Sequence, residues 1–162
     1  MWFRKRKQNS ADVAHDLREQ AFSIALPANS GAARGQTTIG ALFMETGYAE
    51  AVASLVCFAD GTTSLYLSNG GGMIGAGEHA SVRTAATTFF AVGAHSLHEL
   101  TGAAEHPLPR VGQVRFYART DDGLWVAEAP EADLGGGSHQ LSQLFFTAHG
   151  VITAIRETGA GQ

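Results

Sequence analysis

Two turn sequences constrain this chain more than any other feature, because each lies between two apolar runs. They are Asp60-Gly61 and Asp121-Asp122-Gly123. Asp-Gly is among the strongest short-range hairpin signals, since glycine adopts the positive φ that tight turns need, and strands joined in this way are antiparallel. In the apolar run at 113–120, Val114, Phe116 and Ala118 alternate with charged or tyrosine residues, so one face of this strand is expected to be buried. The predicted hairpin strands are 51–59 with 62–68, and 113–120 with 124–129.

Three helices are predicted around these strands from apolar residues that recur every three or four positions. Ser10 is expected to cap the first helix, which ends before Pro27, and Ser138 is expected to cap the third. A short apolar run at 38–46 supplies a fifth strand. The segments 27–36 and 101–110 contain proline and glycine and are predicted to be irregular connections. The helices are predicted at 10–26, at 78–100 and from 138 onwards.

The order of these elements, α-βββ-α-ββ-α, predicts the fold class. We expect an α+β fold with a single antiparallel sheet of about five strands, and helices packed mainly on one face, because two long helices with one apolar stripe each need a sheet to cover. The order is similar to that of the roadblock, longin and GAF-like domains of the profilin-like group, which implies a fold of that kind but no activity. With 162 residues, the chain suits one domain at 10–158, with flexible segments at 1–9 and 159–162.

Basic residues are concentrated near the start of the chain. The sequence contains 11 basic and 15 acidic residues, so outside this segment 11 − 4 = 7 arginines face 15 acids, a formal balance of −8. An acidic body lacks the row of cations that nucleic acid requires, and no nucleic-acid partner is expected. The segment is either a solubilising tail or a weak contact for anionic membranes. It comprises Trp2, Phe3, Arg4, Lys5, Arg6 and Lys7.

Localisation and redox state follow from two absences in the sequence. No apolar run follows the basic start as a signal peptide would require, and no segment approaches the roughly 18 apolar residues of a membrane span. We therefore expect a cytoplasmic protein. The single cysteine, Cys57, cannot form an internal disulfide and is expected to be a reduced, buried apolar residue.

Two glycine clusters are the most unusual feature of the sequence, and each follows a strand and precedes a helix. Three consecutive glycines cost backbone entropy, so a positive φ or a close approach is expected there. The first cluster contains a GxGxxG pattern but follows the second strand of a hairpin, so no dinucleotide cofactor is expected. Either these turns only permit close packing, or their N–H groups bind an anion or small molecule. The candidate ligand-binding residues are Asn69, Gly70, Gly71, Gly72, Gly75, Gly77, His79, Gly135, Gly136, Gly137, Ser138 and His139.

Two sets of histidines raise the question of catalysis. If the two glycine clusters meet at one sheet edge, His79 and His139 face a shared cleft suited to acid–base chemistry, with Ser68 or Ser138 as the possible nucleophile. A metal site at 95–98 is incomplete, because two histidines three positions apart are fewer than the ligands that zinc requires. No catalytic residue, metal or cofactor is therefore predicted.

The leading functional hypothesis is a non-enzymatic binding or scaffold module. It would act through sheet-mediated or edge-mediated homodimerisation, or by binding another protein, because an antiparallel sheet with one covered face leaves another face or an edge to be covered. The alternative is a small-molecule or anion-binding domain, possibly an enzyme, that uses the two glycine-rich turns. A third hypothesis is a peripheral membrane protein held by its basic, aromatic segment.

Overall fold

The computed structural model describes residues 9–26 and 38–160, apart from the side chain of residue 160. The predicted segment at 1–9 and the connection at 27–36 therefore lie almost wholly outside the described residues. The helices are α1 (Ser10–Ser23), α2 (Ala80–Ser96), α3 (Glu131–Gly135) and α4 (Ser142–Ala160). The strands are β1 (Ile39–Gly47), β2 (Val52–Phe58), β3 (Thr63–Leu67), β4 (Gly72–Met73), β5 (Thr101–Ala103), β6 (Gln113–Thr120) and β7 (Gly123–Pro130).

The strands form one open antiparallel sheet of seven strands in the order β4-β3-β2-β1-β6-β7-β5. The α+β class and the antiparallel sheet are confirmed, but the prediction of about five strands was wrong. The two additional strands are the edge strands, of two and three residues. Segments this short show no alternation of apolar residues, so only their pairing with a neighbouring strand identifies them. As a consequence, the predicted irregular connection 101–110 begins with a strand.

Several predicted ends are shifted by capping and turn geometry. Asn9, not Ser10, caps α1, since its Oδ1 accepts the Asp12 N–H at 2.8 Å. The helix predicted at 78–100 is α2 flanked by two 3-10 turns, and the helix predicted from 138 begins at residue 142. The first hairpin loop spans 59–62 rather than two residues, with the Phe58 N–H donating to the Thr62 carbonyl at 2.8 Å. The second hairpin is tight, with Thr120 paired to Gly123.

The sheet is covered by different helices on its two faces. On one face, Leu42 and Met44 belong to the main core with residues of α2 and α4. On the other face, Phe43 and Tyr117 pack with Ala21 and Phe22 of α1. The two longest helices thus share one face, and α1 lies alone on the other. No helix within the described parts of the chain is both long and apolar enough to span a membrane.

Candidate functional site

The first glycine cluster forms the turn between β3 and β4. The Gly70 N–H donates to the Leu67 carbonyl at 2.9 Å, and the Leu67 N–H donates to the Gly71 carbonyl at 3.1 Å. A Cβ at Gly70 would lie 2.2 Å from Ser10 Oγ, and a Cβ at Gly72 would lie 1.9 Å from the carbonyl oxygen of Leu65. Close packing therefore accounts for these two glycines.

The remaining candidates of the first cluster lie nearby on the surface or in the next turn. Gly75 has a φ of 72° and precedes the 3-10 turn Ala76–Glu78. A Cβ at Gly77 would lie 2.0 Å from the Gly61 carbonyl oxygen, so this position also requires glycine. Asn69 and His79 are exposed, and the His79 side chain makes no capping hydrogen bond to α2.

The second glycine cluster ends α3 and leads into α4. The N–H groups of Gly136 and Gly137 donate to the carbonyls of Ala132 and Leu134, which is a helix C-terminal arrangement, and Gly135 belongs to α3. Ser138 is exposed. Just before α4, His139 Nδ1 accepts the Leu141 N–H at 3.0 Å. Protein groups therefore already occupy the position that an anion would take at this helix start.

The two glycine clusters adjoin opposite ends of α4. Ser142 Oγ donates to the Leu134 carbonyl at 2.8 Å beside the second cluster, and Thr158 Oγ1 contacts Met73 Sδ at 3.7 Å beside the first. These positions are 158 − 142 = 16 residues apart, or about 24 Å along a helix. The structure does not bring the clusters together, so His79 and His139 share no cleft. Anion binding at either turn alone stays a prediction.

The structure instead assembles a buried polar group between α1 and the sheet. Arg18 Nε and Nη2 donate to Glu45 Oε1 and Oε2 at 2.6 and 2.9 Å, a bidentate ion pair. Glu45 is fully buried, and Ser54 Oγ donates to its Oε1 at 3.0 Å. Burial alone would lower the pKa of Arg18, but the hydrogen bond and charge of Glu45 outweigh it and raise the pKa. The Arg18 guanidinium therefore stays charged and bound to Glu45.

Two hollows open along α1 beside this ion pair, and we call them together the α1 cleft. The smaller has a volume of about 150 Å³, and the larger has a volume of about 410 Å³. They share His15, Arg18 and Leu108. The small hollow is further lined by Ala14, Ser54, Tyr66 and Ser68, and the large one by Glu19, Ala104, Glu105, His106 and Pro107.

The rim of the large hollow is held by stacking and by hydrogen bonds. The His106 ring stacks on Phe22 at 4.0 Å between centroids, and its Nε2 lies 3.0 Å from Glu19 Oε2. This hydrogen bond is the main cause that lowers the pKa of Glu19, so its carboxylate stays ionised at neutral pH. Arg18 Nη1 also donates to Glu19 Oε1 at 3.1 Å, so one guanidinium binds the carboxylates of both Glu45 and Glu19. With Glu105 on the rim, the carboxylates outnumber the guanidinium and give the cleft a net negative charge.

Ser54 is the only hydroxyl bonded to the buried Glu45 carboxylate among the described residues, and that carboxylate is already bound by a guanidinium. The part of the chain that the structure describes contains no group of three or more residues able to hold a metal. His98 instead lies 3.0 Å from Glu99.

A second surface lies near the β5 edge of the sheet. Residues 124–127 are all half-buried, with Leu124 and Val126 on the α1 face and Trp125 and Ala127 on the other. We call these four residues the β7 margin. The strand β5 pairs only with residues 124–126, so β7 continues beyond its outer neighbour. A hollow of about 390 Å³ adjoins the margin and is lined by Glu99, Thr101, Glu105, Arg115, Tyr117, Val126, Ala127 and Glu128.

Sequence reasoning did not identify the α1 cleft or the β7 margin. A signal for the first existed, because Glu45 interrupts an otherwise apolar strand and so must find a partner if buried. Its partner, Arg18, lies 27 residues away, and no local pattern connects the two. The partial exposure of the β7 margin depends on the position of β7 next to the edge strand β5, which was not predicted.

The reactivity of Cys57 tests whether the core covers the sheet as the structure shows. It is fully buried in β2, and burial raises the pKa of its thiol to about 12. Since the ordinary value is about 8.5, the folded protein keeps the unreactive thiol form at pH 8. We expect a thiol reagent to label Cys57 only as fast as the protein unfolds, and at once in denaturant. Labelling of the native protein at the rate of a free peptide thiol would contradict this burial.

Comparison of the chain with protein-family models, with curated proteins and with solved structures finds no match.

Proposed function

We propose that this protein is a non-enzymatic cytoplasmic binding module that forms a homodimer through the β7 margin. One observation carries the proposal: four consecutive residues of β7 are half-buried, whereas β1 at the centre of the sheet is almost entirely buried. Leu124 and Val126 share the α1 face, and partly exposed apolar side chains that adjoin one another are typical of interaction surfaces.

Contact between side chains of the β7 margin is a better supported basis for the dimer than hydrogen bonding between the edge strands of two copies. The two edge strands have only two and three residues, so they offer few free backbone groups to a further strand. Pro130 ends β7 and lacks the N–H group that would extend such pairing. The side chains of the margin are therefore the better candidates for contact.

A second copy of this chain is the partner that the charges favour. The body of the protein is acidic, so two copies repel each other unless the contact is locally balanced. Arg115 and Arg119 lie on the α1 face of β6, and Arg115 forms an ion pair with Glu128 of β7. A patch with both signs is self-complementary across a two-fold axis.

We also propose a more specific assignment of the fold. When the short elements β4, β5 and α3 are set aside, the order α-βββ-α-ββ-α is retained. This supports a fold similar to that of roadblock and longin domains. The alternative of anion binding at the glycine turns has less support, because protein carbonyls already accept the N–H groups of Gly70, Gly136 and Gly137.

Cross-linking from an introduced cysteine tests the homodimer. Thr101 is exposed and lies opposite Val126 on the same face, whereas Thr87 is exposed on α2. Because Cys57 is buried, Thr101→Cys or Thr87→Cys provides a single reactive thiol. With a short bis-maleimide at micromolar protein, we expect a covalent dimer from Thr101→Cys and little from Thr87→Cys. Equal yields, or a dimer only from Thr87→Cys, would move the interface away from the β7 margin.

A further inference from the structure

We propose that the α1 cleft is a docking site for the chain's own basic, aromatic segment, with the Trp2 indole in the small hollow and the cations of residues 4–7 along the acidic rim. The proposed homodimer uses the β7 margin, none of whose four residues lines the α1 cleft. The cleft is then occupied by a segment of the same chain, which a competing ligand can displace.

Charge complementarity favours this occupant. Arg18 cannot attract an anion, because it is bound to Glu45, and its Nη2 also donates to the His106 carbonyl at 2.6 Å. This one guanidinium pairs with both Glu45 and Glu19, and Glu105 adds a further carboxylate, so the sign of the rim is negative. The segment with four adjacent cations is the part of the sequence whose charge is opposite to that of the rim.

The size and lining of the small hollow suit an aromatic ring. Its volume of about 150 Å³ equals that of engineered apolar cavities that accept benzene. Tyr66 and Leu108 provide apolar walls. Ser68 places a hydroxyl at the edge of the small hollow, where it can accept a hydrogen bond from the indole N–H. The hollow is open to solvent, so the rest of the indole and the chain that follows need not be buried.

The connection between the segment and the cleft is short enough. Trp2 is 9 − 2 = 7 residues from Asn9, the cap of α1, and an extended chain of that length spans about 23 Å. His15, on the wall of the small hollow, is 15 − 9 = 6 residues along the helix from Asn9, or about 9 Å. Trp2 therefore reaches the hollow if the chain turns back along α1.

Tryptophan fluorescence of the full chain tests the proposal directly. The sequence has two tryptophans, so Trp125→Phe leaves Trp2 as the only one. We expect its emission to be blue-shifted and its quenching by acrylamide to be several-fold weaker than that of a free peptide with the sequence of residues 1–8. High salt should reduce the protection, because the rim contact is electrostatic. The difference between wild type and Trp2→Phe gives the same information if Trp125→Phe destabilises the fold.

Two lysine substitutions distinguish the cleft from other contacts. Leu108→Lys removes an apolar wall and adds a cation, while Val111→Lys adds the same charge at a 67% exposed position outside both hollows. We expect Leu108→Lys to restore peptide-like quenching of Trp2 and Val111→Lys to leave it protected. Trp2 that is protected equally in both variants, or exposed until vesicles of phosphatidylserine are added, would overturn the proposal.

Discussion

Replacement of Arg18 by alanine is expected to lower the free energy of unfolding by about 3–5 kcal/mol, the cost of leaving a buried charge without its partner. Glu45 is completely buried and accepts two hydrogen bonds from Arg18. Ser54 alone remains to solvate the carboxylate after the substitution. The loss should appear in urea denaturation as a lower midpoint with an unchanged slope.

Two further variants determine whether charge or packing causes this loss. Arg18→Met with Glu45→Leu removes both charges and keeps apolar volume, so most of the lost stability should return. Arg83→Ala is the matched arginine control, because within the described parts of the chain its exposed guanidinium donates only to the carbonyls of Gly77 and Glu78. We expect a loss below about 1 kcal/mol for this control. If the double variant is as unstable as Arg18→Ala, the ion pair is not the cause.

The second large effect is expected at Gly72. Gly72→Ala places a Cβ 1.9 Å from the Leu65 carbonyl oxygen, so the backbone at one of these positions must move. Residue 72 also has a φ of 121°, which is a strained conformation for alanine. Strain at such a φ costs about 1–3 kcal/mol, and the collision adds to it. We expect loss of β4 and a large decrease in melting temperature measured by circular dichroism.

Gly71 is the control for Gly72 within the same turn. Its φ is 111°, but the nearest atom to a Cβ is Leu67 Cδ1 at 3.9 Å, so Gly71→Ala introduces strain without collision. It should destabilise the protein clearly less than Gly72→Ala. Equal melting temperatures would show that the close approach in the structure is not present. Since Gly72 supports the fold, a variant at exposed His79 is the better test of ligand binding at this turn.

The parts of the fold that depend on local sequence could be predicted. The Asp-Gly turns identified both hairpins, and the alternation along β6 correctly placed Val114, Phe116 and Ala118 on one buried face. On the opposite face of β6 the alternation was less informative. Tyr117 lies there but is fully buried, because Phe22 of α1 packs against its ring at 5.1 Å.

The candidate surfaces depend on contacts that are distant in sequence. The α1 cleft needs α1, β2, β3 and the 104–108 segment to meet, and its charge is decided by the partner of Arg18. The β7 margin depends on the position of β7 next to the edge strand β5. The glycine clusters are visible in the sequence because they are local and unusual. The close approach of other atoms at Gly70, Gly72 and Gly77 is sufficient to explain the first cluster.

Sedimentation equilibrium of the wild-type protein and of Val126→Lys tests the central claim most directly. Val126 is half-buried on the β7 margin, so a lysine there disrupts a self-contact while its stem still covers the strand. At micromolar concentrations the wild type should have the mass of two chains, and Val126→Lys, with a native circular dichroism spectrum, the mass of one. A monomeric wild type, or a Val126→Lys protein that remains a dimer, would contradict the account.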